Sequence, residues 1–122
     1  MKLPIAAVVL TALSFPTAAY ADGDAAAGKR VFMQCAVCHS PQPDKTILGP
    51  SLFGVVGRHS ASLANYPYSD AMKAADKTWD EATLDAYLTK PQAMVPGTKM
   101  TFAGLAKAED RANVIAYLAT LK

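Results

Sequence analysis

The stretch Cys35-Ala36-Val37-Cys38-His39 decides how this sequence is interpreted. It holds both cysteines of the 122-residue chain, two residues apart, with a histidine directly after the second. Residues three and four apart lie on one face of a helix, so the end of a helix here would present two thiols and an imidazole together. C-x-x-C-H is the spacing of c-type haem attachment, in which each thiol adds to a vinyl group and the imidazole binds the iron from the same side.

Three other uses of these residues fit less well. A thioredoxin-like redox pair would need a neighbouring βαβ pattern, and strand signals are weak throughout the chain. A zinc site needs four ligands, and His59 is the only other histidine. A plain disulfide is ordinary in an exported protein, but it would leave His39 unexplained. The motif therefore favours covalent haem.

The segment after the motif supports this interpretation. Residues 40–68 are rich in Pro, Gly, Ser and turn dipeptides, with apolar residues scattered among them. A run of that length without regular structure is uncommon inside a compact domain. It becomes reasonable if the loop wraps a large apolar group that is not protein.

The remaining periodic stretches are helical, which predicts an all-α fold with three main helices, one short helix and long loops. Asp22 or Asp24 is a possible N-cap of the first helix, Thr78 to Glu81 has the form of a capping box for the second, and Pro91 is expected to stop that second helix. The predicted main helices span about 24–37, 80–90 and 107–121, and the short one about 69–75.

The first 21 residues have the form of a secretory signal peptide. A positive start (Lys2) is followed by an apolar stretch over 3–17 and the small-x-small sequence Ala19-Tyr20-Ala21. An uncleaved anchor is the alternative, but proline and serine interrupt the apolar run, which is shorter than the roughly 20 residues of a spanning helix. We therefore expect cleavage after Ala21, a single mature domain at 22–122, and a periplasmic location without a stable membrane anchor.

Charge and composition exclude one class of partner. The chain carries 12 basic and 10 acidic residues, a net charge of +2. Nucleic-acid-binding domains are usually much more basic. We therefore expect no nucleic-acid partner.

An electron carrier needs a sixth iron ligand, whereas an oxygen- or peroxide-using enzyme or a small-ligand sensor needs an open site. Met33 precedes Cys35 on the attachment side and cannot reach across the haem, and Met72 and Met94 suit gap-filling in a core. Met100 lies in the turn-rich polar segment 95–102, a poor setting for a core residue. His59 lies in a polar loop, so no distal acid–base histidine is evident for an enzyme. A Met/His ligand pair would raise the reduction potential.

The sequence resembles the class I cytochromes c of the short mitochondrial and bacterial periplasmic type over the whole mature domain. The resemblance is carried by GKRVFMQCAVCH, GPSLFGVVGR, YPYSDAMKAADKTW, YLTKP, PGTKMTFAGL and NVIAYL, in the family's order. It implies a fold that encloses one covalent haem c, with His39 and Met100 as the iron ligands. The implied function is that of a soluble single-electron carrier between respiratory or photosynthetic complexes, not an enzyme.

The resemblance also implies roles for further residues. Pro50 would accept a hydrogen bond from His39 and so orient it, while Tyr68 and Trp79 would bind a haem propionate and Arg58 would offset its charge. Core packing is the alternative role for Tyr68 and Trp79. Tyr87 and Phe102 would be the aromatic residues that line the distal side. The contact between the N- and C-terminal helices would be formed by Gly28, Phe32, Tyr117 and Leu118.

The chain departs from the family pattern around the expected haem edge and inside the cavity. Gln92, Ala93 and Ala106 stand where family members often carry lysine, and Met72 replaces a polar residue. The basic residues that remain near the edge are Lys29, Arg30, Lys45, Lys99 and Lys107, each of which could equally be an ordinary surface charge. The implied partners of a monomeric carrier are redox proteins: a quinol:cytochrome c reductase, a terminal oxidase, a reaction centre or a dehydrogenase.

Overall fold

The computed structural model describes residues 23–122, together with Met1, Pro4 and Ala12. The predicted signal peptide, apart from those three residues, and the alternative cap Asp22 lie outside the described residues. Within 23–122 the chain forms five helices and no strand, with one isolated antiparallel bridge between His59 and Thr78. The helices are α1 (Ala25–Phe32), α2 (Asp70–Ala75), α3 (Glu81–Thr89), α4 (Pro91–Met94) and α5 (Ala108–Ala119). None of them is long and apolar enough to cross a membrane.

The two terminal helices, α1 and α5, pack closely where α1 carries a glycine. A Cβ atom on Gly28 would clash with the carbonyl group of Asn113 and come within 3.0 Å of the Tyr117 Cβ. Beside this crossing the rings of Phe32 and Tyr117 pack with their centroids 5.1 Å apart. The predicted contact between the terminal helices is therefore present, and only glycine lets the two backbones approach this far.

The start of α1 follows the sequence, but its end does not. Asp24 is the N-cap, and its carboxylate accepts hydrogen bonds from the N–H groups of Ala26 and Ala27. The predicted helix over 24–37 ends at Phe32 and continues as turns, because the Cys35 N–H bonds to the carbonyl of Phe32, three residues back. The two cysteines thus lie in a tightened continuation of the helix.

The N-cap of α3 corrects the capping-box prediction. Asp80 is the cap, and its Oδ1 accepts a hydrogen bond from the Thr83 N–H at 2.7 Å. Thr78 pairs instead with His59 in the antiparallel bridge, so it lies outside the helix. The helix begins directly after the cap, at Glu81, one residue later than expected.

Pro91 follows the end of α3, as the sequence predicted, and it also begins another helix. The helix ends at Thr89, Lys90 adopts an extended conformation, and Pro91 occupies the first position of α4. A residue before proline favours extended backbone, and proline suits the first turn of a helix. The second short helix was not expected, and it directs the following chain toward the segment that carries Met100.

The long loop is irregular, as expected, and a partly buried arginine links α5 to α3. Residues 40–69 contain no helix. Arg111 of α5 bonds Asp85 of α3 at 2.8 Å and the carbonyl oxygen of Leu105 at 2.8 Å. The buried core lies between these elements: Phe32, Val55, Trp79, Leu84, Tyr87, Val95, Leu105, Val114, Ile115 and Leu118.

Candidate haem site

A cavity of about 580 Å³ lies between the helices and the long loop. Its volume is within the range of about 300–1,000 Å³ that is usual for cofactor sites. It brings together all ten residues that the sequence predicted to surround the haem. They are Cys35, Cys38, His39, Pro50, Arg58, Tyr68, Trp79, Tyr87, Met100 and Phe102.

The cysteine–histidine wall of the cavity has the order that its spacing predicted. Cys35 and Cys38 are free thiols. The carbonyl oxygen of Cys35 accepts hydrogen bonds from the N–H groups of both Cys38 and His39, at 3.0 and 2.9 Å, which holds the three residues in one turn. Burial, and secondarily the neighbouring Cys38, raises the pKa of the Cys35 thiol. The motif therefore presents two thiols and the imidazole to the same cavity from neighbouring positions.

The imidazole of His39 is held in one orientation by the loop that passes over it. Its Nδ1 lies 2.7 Å from the carbonyl oxygen of Pro50. A carbonyl can only accept, so Nδ1 donates and Nε2 keeps its lone pair. A Cβ on Gly49 would lie 2.6 Å from the His39 Cε1 atom, so the close passage of the loop requires glycine at that position.

Burial also favours the neutral imidazole, which is the form that binds a metal. Desolvation lowers the pKa of His39, the hydrogen bond to Pro50 opposes this, and Arg58 lowers the pKa further. With Nδ1 donating to Pro50, the free nitrogen is the one a metal ion can bind, and such a partner makes it a better donor.

Each heteroatom of Met100 has a side-chain partner. The Met100 N–H bonds the Thr98 hydroxyl at 3.3 Å, its carbonyl oxygen accepts from Gln92 Nε2 at 3.3 Å, and its sulfur lies 3.9 Å from the Tyr87 hydroxyl. Lys99, beside it, donates to the carbonyl oxygen of Pro67 at 2.7 Å. Four side chains thus fix a segment that has no regular secondary structure of its own.

Tyr87 is buried between the core and the cavity. Its ring packs against Trp79 with centroids 4.8 Å apart, and only 7% of its surface is exposed. Burial raises the pKa of the phenol, and a hydrogen bond with Thr98 partly opposes this. The hydroxyl therefore stays protonated at neutral pH and can act as a donor to the sulfur of Met100.

Arg58 and Trp79 are joined by their backbones at the wall of the cavity. The Trp79 N–H donates to the carbonyl oxygen of Arg58 at 2.9 Å. The Arg58 guanidinium donates to the carbonyl oxygens of Ser51 and Phe53, at 2.9 and 3.2 Å. Burial lowers the pKa of Arg58 from its ordinary value, and Tyr68 opposes this. Because an arginine stays charged in proteins, this wall carries a fixed cation.

The other sulfur and imidazole candidates occupy different places. Met72 lines the cavity, whereas Met33 is exposed and Met94 packs against the core. His59 is exposed, and its Nε2 lies 2.8 Å from Asp76. Among residues 23–122, no three His, Cys, Asp or Glu side chains are grouped to hold a metal ion.

Sequence reasoning did not find the two residues that hold the backbone of Met100. Gln92 drew notice only as a neutral substitute for lysine, although it reaches Met100 from α4. Thr98 was not predicted to have a role of its own. Its place two residues before Met100 is a usual position for a hydroxyl that bonds a nearby backbone N–H, and this was the available signal.

Comparison with known proteins identifies the family. The sequence model of the Cytochrome c family matches residues 25–122. The chain belongs to the cytochrome c family. It is 51% identical to a cytochrome c2 of Rhodomicrobium vannielii over 121 residues, which cover 98% of this chain and 97% of the relative. It is 50% identical to a cytochrome c2 of Rhodoblastus acidophilus, over 82% of this chain and 94% of the relative.

A solved structure agrees with this assignment. Cytochrome cH from Methylobacterium extorquens superposes with a TM-score of 0.76 at 43% identity, covering 80% of this chain and 99% of that one. The chain is therefore an electron-transfer protein with covalent haem c and iron, and not an enzyme. The predictions of an all-α class I cytochrome c fold and of this cofactor are confirmed.

The site also fits haem on its own chemistry. Two free thiols, an imidazole with an available Nε2, a thioether sulfur and apolar walls surround one space of suitable size. The neighbouring Gly49 leaves no room for a side chain against His39. Cys35 and Cys38 would hold the porphyrin through thioether bonds.

Proposed function

We propose that this cytochrome c is a periplasmic carrier of single electrons in which His39 and Met100 are the axial iron ligands. One observation supports the ligand pair above all. The free Nε2 of His39 and the sulfur of Met100 belong to side chains that line the same cavity, from separate segments, and each side chain is already held by a hydrogen bond. The haem supplies the change between ferric and ferrous iron.

The chain's own residues favour an electron carrier with little rearrangement on reduction. Pro50 fixes the imidazole, and Gln92, Thr98 and Tyr87 fix the Met100 segment. With both ligands held by the protein, the change of oxidation state alters the surroundings little. Thioether ligation and burial together predict a clearly positive reduction potential.

The roles of Arg58, Tyr68 and Trp79 remain part of this proposal. Arg58 lies at the cavity wall with its charge kept by two carbonyl partners. The Tyr68 hydroxyl accepts a bond from the Leu63 N–H at 3.3 Å, which leaves its own proton available. These residues would bind and neutralise the propionates, and Phe102 would cover the distal side beside Met100.

Export from the cytoplasm is the last part of the proposal. The sequence pattern of residues 1–21 is that of a cleaved leader, and the family match begins at residue 25. The mature protein would be a soluble monomer that begins at Asp22. Its partners would be a quinol:cytochrome c reductase and a terminal oxidase, reaction centre or dehydrogenase. N-terminal sequencing of the periplasmic protein tests the cleavage site.

Replacing Met100 by Ala tests the ligand pair. The weak far-red absorption of the ferric protein, which arises from the sulfur–iron bond, should disappear, and the potential should fall. Met72→Ala is the matched control, since Met72 is the other methionine that lines the cavity. If the band survives in Met100→Ala and is lost in Met72→Ala, the assignment of Met100 is wrong. A pyridine haemochrome spectrum checks covalent attachment separately.

A further inference from the structure

The segment that precedes α1 is bound to α5. Gly23 lies against the backbone of α5, where a Cβ atom on it would clash with the carbonyl group of Ala112. The next residue, Asp24, donates its backbone N–H to the side-chain oxygen of Asn113 at 2.8 Å. Glycine lacks a Cβ and so permits a close approach of two backbones. Two successive residues are thus held on α5, one by packing and one by a hydrogen bond. We call Gly23 and Asp24 the docked pair.

The docked pair cannot leave α5 without disturbing the start of α1. The carboxylate of Asp24 caps α1 by accepting hydrogen bonds from the N–H groups of Ala26 and Ala27. One turn into the helix, Gly28 lies against the carbonyl group of Asn113, the residue whose side chain holds Asp24. Chain ends are usually poorly ordered unless other contacts tie them down. Because Asp24 and Gly28 share one partner on α5, we expect the docked pair and the first turn of α1 to open together.

The docked pair lies directly after the predicted cleavage site. The small-x-small sequence ends at Ala21, so a single residue, Asp22, separates the scissile peptide bond from Gly23. One extended residue spans only about 3.3–3.6 Å. Hydrolysis of this bond consumes one water molecule and leaves a carboxylate on Ala21 and an amino group on Asp22. A peptidase has to enclose the chain on both sides of the bond, which α5 prevents when it already covers Gly23.

We propose that α5 controls removal of the leader: once α5 binds the docked pair, signal peptidase can no longer cut between Ala21 and Asp22, so cleavage precedes the packing of α1 on α5. This order of events rests on the proposed cleavage of the leader and is independent of electron transfer. Proteases cut most readily where the chain is exposed and poorly ordered. Cleavage of a bound segment follows the fraction of molecules in which it is open. A precursor that folds too early would therefore keep its leader.

The test compares two folded precursors, each the full chain with haem attached. Both are made in bacteria depleted of signal peptidase and are purified in detergent. The second carries the insertion Gly-Ser-Gly-Ser between Asp22 and Gly23, which moves the scissile bond up to about 13 Å from the docked pair and keeps a glycine directly after Asp22. With added signal peptidase, we expect the precursor without the insertion to be cut at least about tenfold more slowly. Equal rates would overturn the proposal.

Removing the hydrogen bond of the docked pair tests this contact directly. Asn113→Ala loses the bond to the Asp24 N–H but keeps α5, because alanine favours helix. We expect the folded precursor to be cut about two- to tenfold faster, which corresponds to one hydrogen bond. The matched control is Asn65→Ala, which loses a bond to the carbonyl oxygen of Asp44 within the long loop and should not change the rate. In the mature holo-protein, the Asp24 amide hydrogen should exchange faster in Asn113→Ala than in the control. Equal cleavage of the two variants would contradict the role of the docked pair.

A short peptide keeps this proposal distinct from the proposed function. A synthetic peptide of residues 14–30 holds the same bond but lacks α5, so signal peptidase should cut it after Ala21. If the peptide is cut there and both precursors are cut equally fast, only the control by α5 fails. If the peptide is not cut after Ala21, the proposed cleavage site fails, and the control by α5 fails with it. Electron exchange between the mature holo-protein and a small redox reagent shows separately whether the carrier function holds.

Discussion

Replacing Tyr87 by Phe should lower the reduction potential by removing one hydroxyl from the site. The hydroxyl lies 3.9 Å from the sulfur of Met100, and its proton points the positive end of a dipole toward that sulfur. Such a dipole disfavours the more positive, ferric state. The ring and its packing on Trp79 are retained in phenylalanine, so the change isolates the hydroxyl.

The expected size follows from the geometry of this contact. A net hydrogen bond contributes about 0.5–1.5 kcal/mol, and a long bond to sulfur belongs at the lower end. A tenfold change in a one-electron equilibrium corresponds to about 59 mV and to about 1.4 kcal/mol. A loss of about 0.5 kcal/mol thus corresponds to a fall of about 20 mV.

Spectroelectrochemical titration of the two proteins at neutral pH measures this shift. The matched control is Tyr117→Phe, which removes the same group at the contact between α1 and α5, outside the residues that line the cavity. It should leave the potential unchanged. A potential that rises in Tyr87→Phe, or that falls equally in both variants, would refute the argument from the hydroxyl dipole.

The same variant predicts a change in the pH dependence of stability. Burial raises the pKa of Tyr87 above its unfolded value of about 10. The unfolded chain then loses this proton more readily, so the free energy of unfolding falls as pH rises above about 10. In guanidinium unfolding of the reduced protein, Tyr87→Phe should show a shallower fall, and an unchanged slope would contradict it.

Three further changes test the helix contact and the Met100 segment. Gly28→Ala forces a Cβ against the Asn113 carbonyl. We expect the free energy of unfolding, measured in guanidinium, to fall by about 2 kcal/mol or more, despite the better helix propensity of alanine. The control Ala26→Gly, at an exposed position of α1, should cost only about 1 kcal/mol. Gln92→Ala removes the 3.3 Å hydrogen bond to the Met100 carbonyl. If that bond contributes about 0.5 kcal/mol, the pH at which the far-red ferric band is lost should fall by about 0.4. Gln92→Glu, whose side chain cannot donate this bond, should behave in the same way. Lys99→Ala removes the amine nearest in sequence to Met100, so the alkaline loss of that band should move to higher pH; an unmoved transition would exclude Lys99 as the replacing ligand.

Short-range sequence patterns predicted most helix ends well. The carboxylate of Asp24 caps α1 by accepting bonds from N–H groups two and three residues later. The apolar spacing near the C-terminus predicted the ends of α5 to within one or two residues of Ala108–Ala119. The capping-box pattern pointed to Thr78, but Asp80 is the cap of α3. Thr78 is instead paired with His59, nineteen residues earlier. A pairing across a long loop leaves no mark in the local sequence.

The same distinction holds within the site. C-x-x-C-H carries its geometry in its spacing, so Cys35, Cys38 and His39 could be placed from sequence alone. The family resemblance supplied the residues from distant segments, such as Pro50 and Met100. The bond from Gln92 to Met100 depends on where α4 begins, and that was set by the unexpected use of Pro91 as a first helical residue.

The prosthetic group completes the core of this protein as well as its function. Six of the ten buried core side chains also line the cavity: Val55, Trp79, Leu84, Tyr87, Val114 and Leu118. The described residues 23–122 supply a small core, and domains of this size often depend on a staple. Each of these side chains packs against other core residues on one side and faces the cavity on the other. A bound porphyrin would therefore add apolar contact to all six. The thioether bonds of Cys35 and Cys38 would then keep in place a part of the core that the chain itself does not encode.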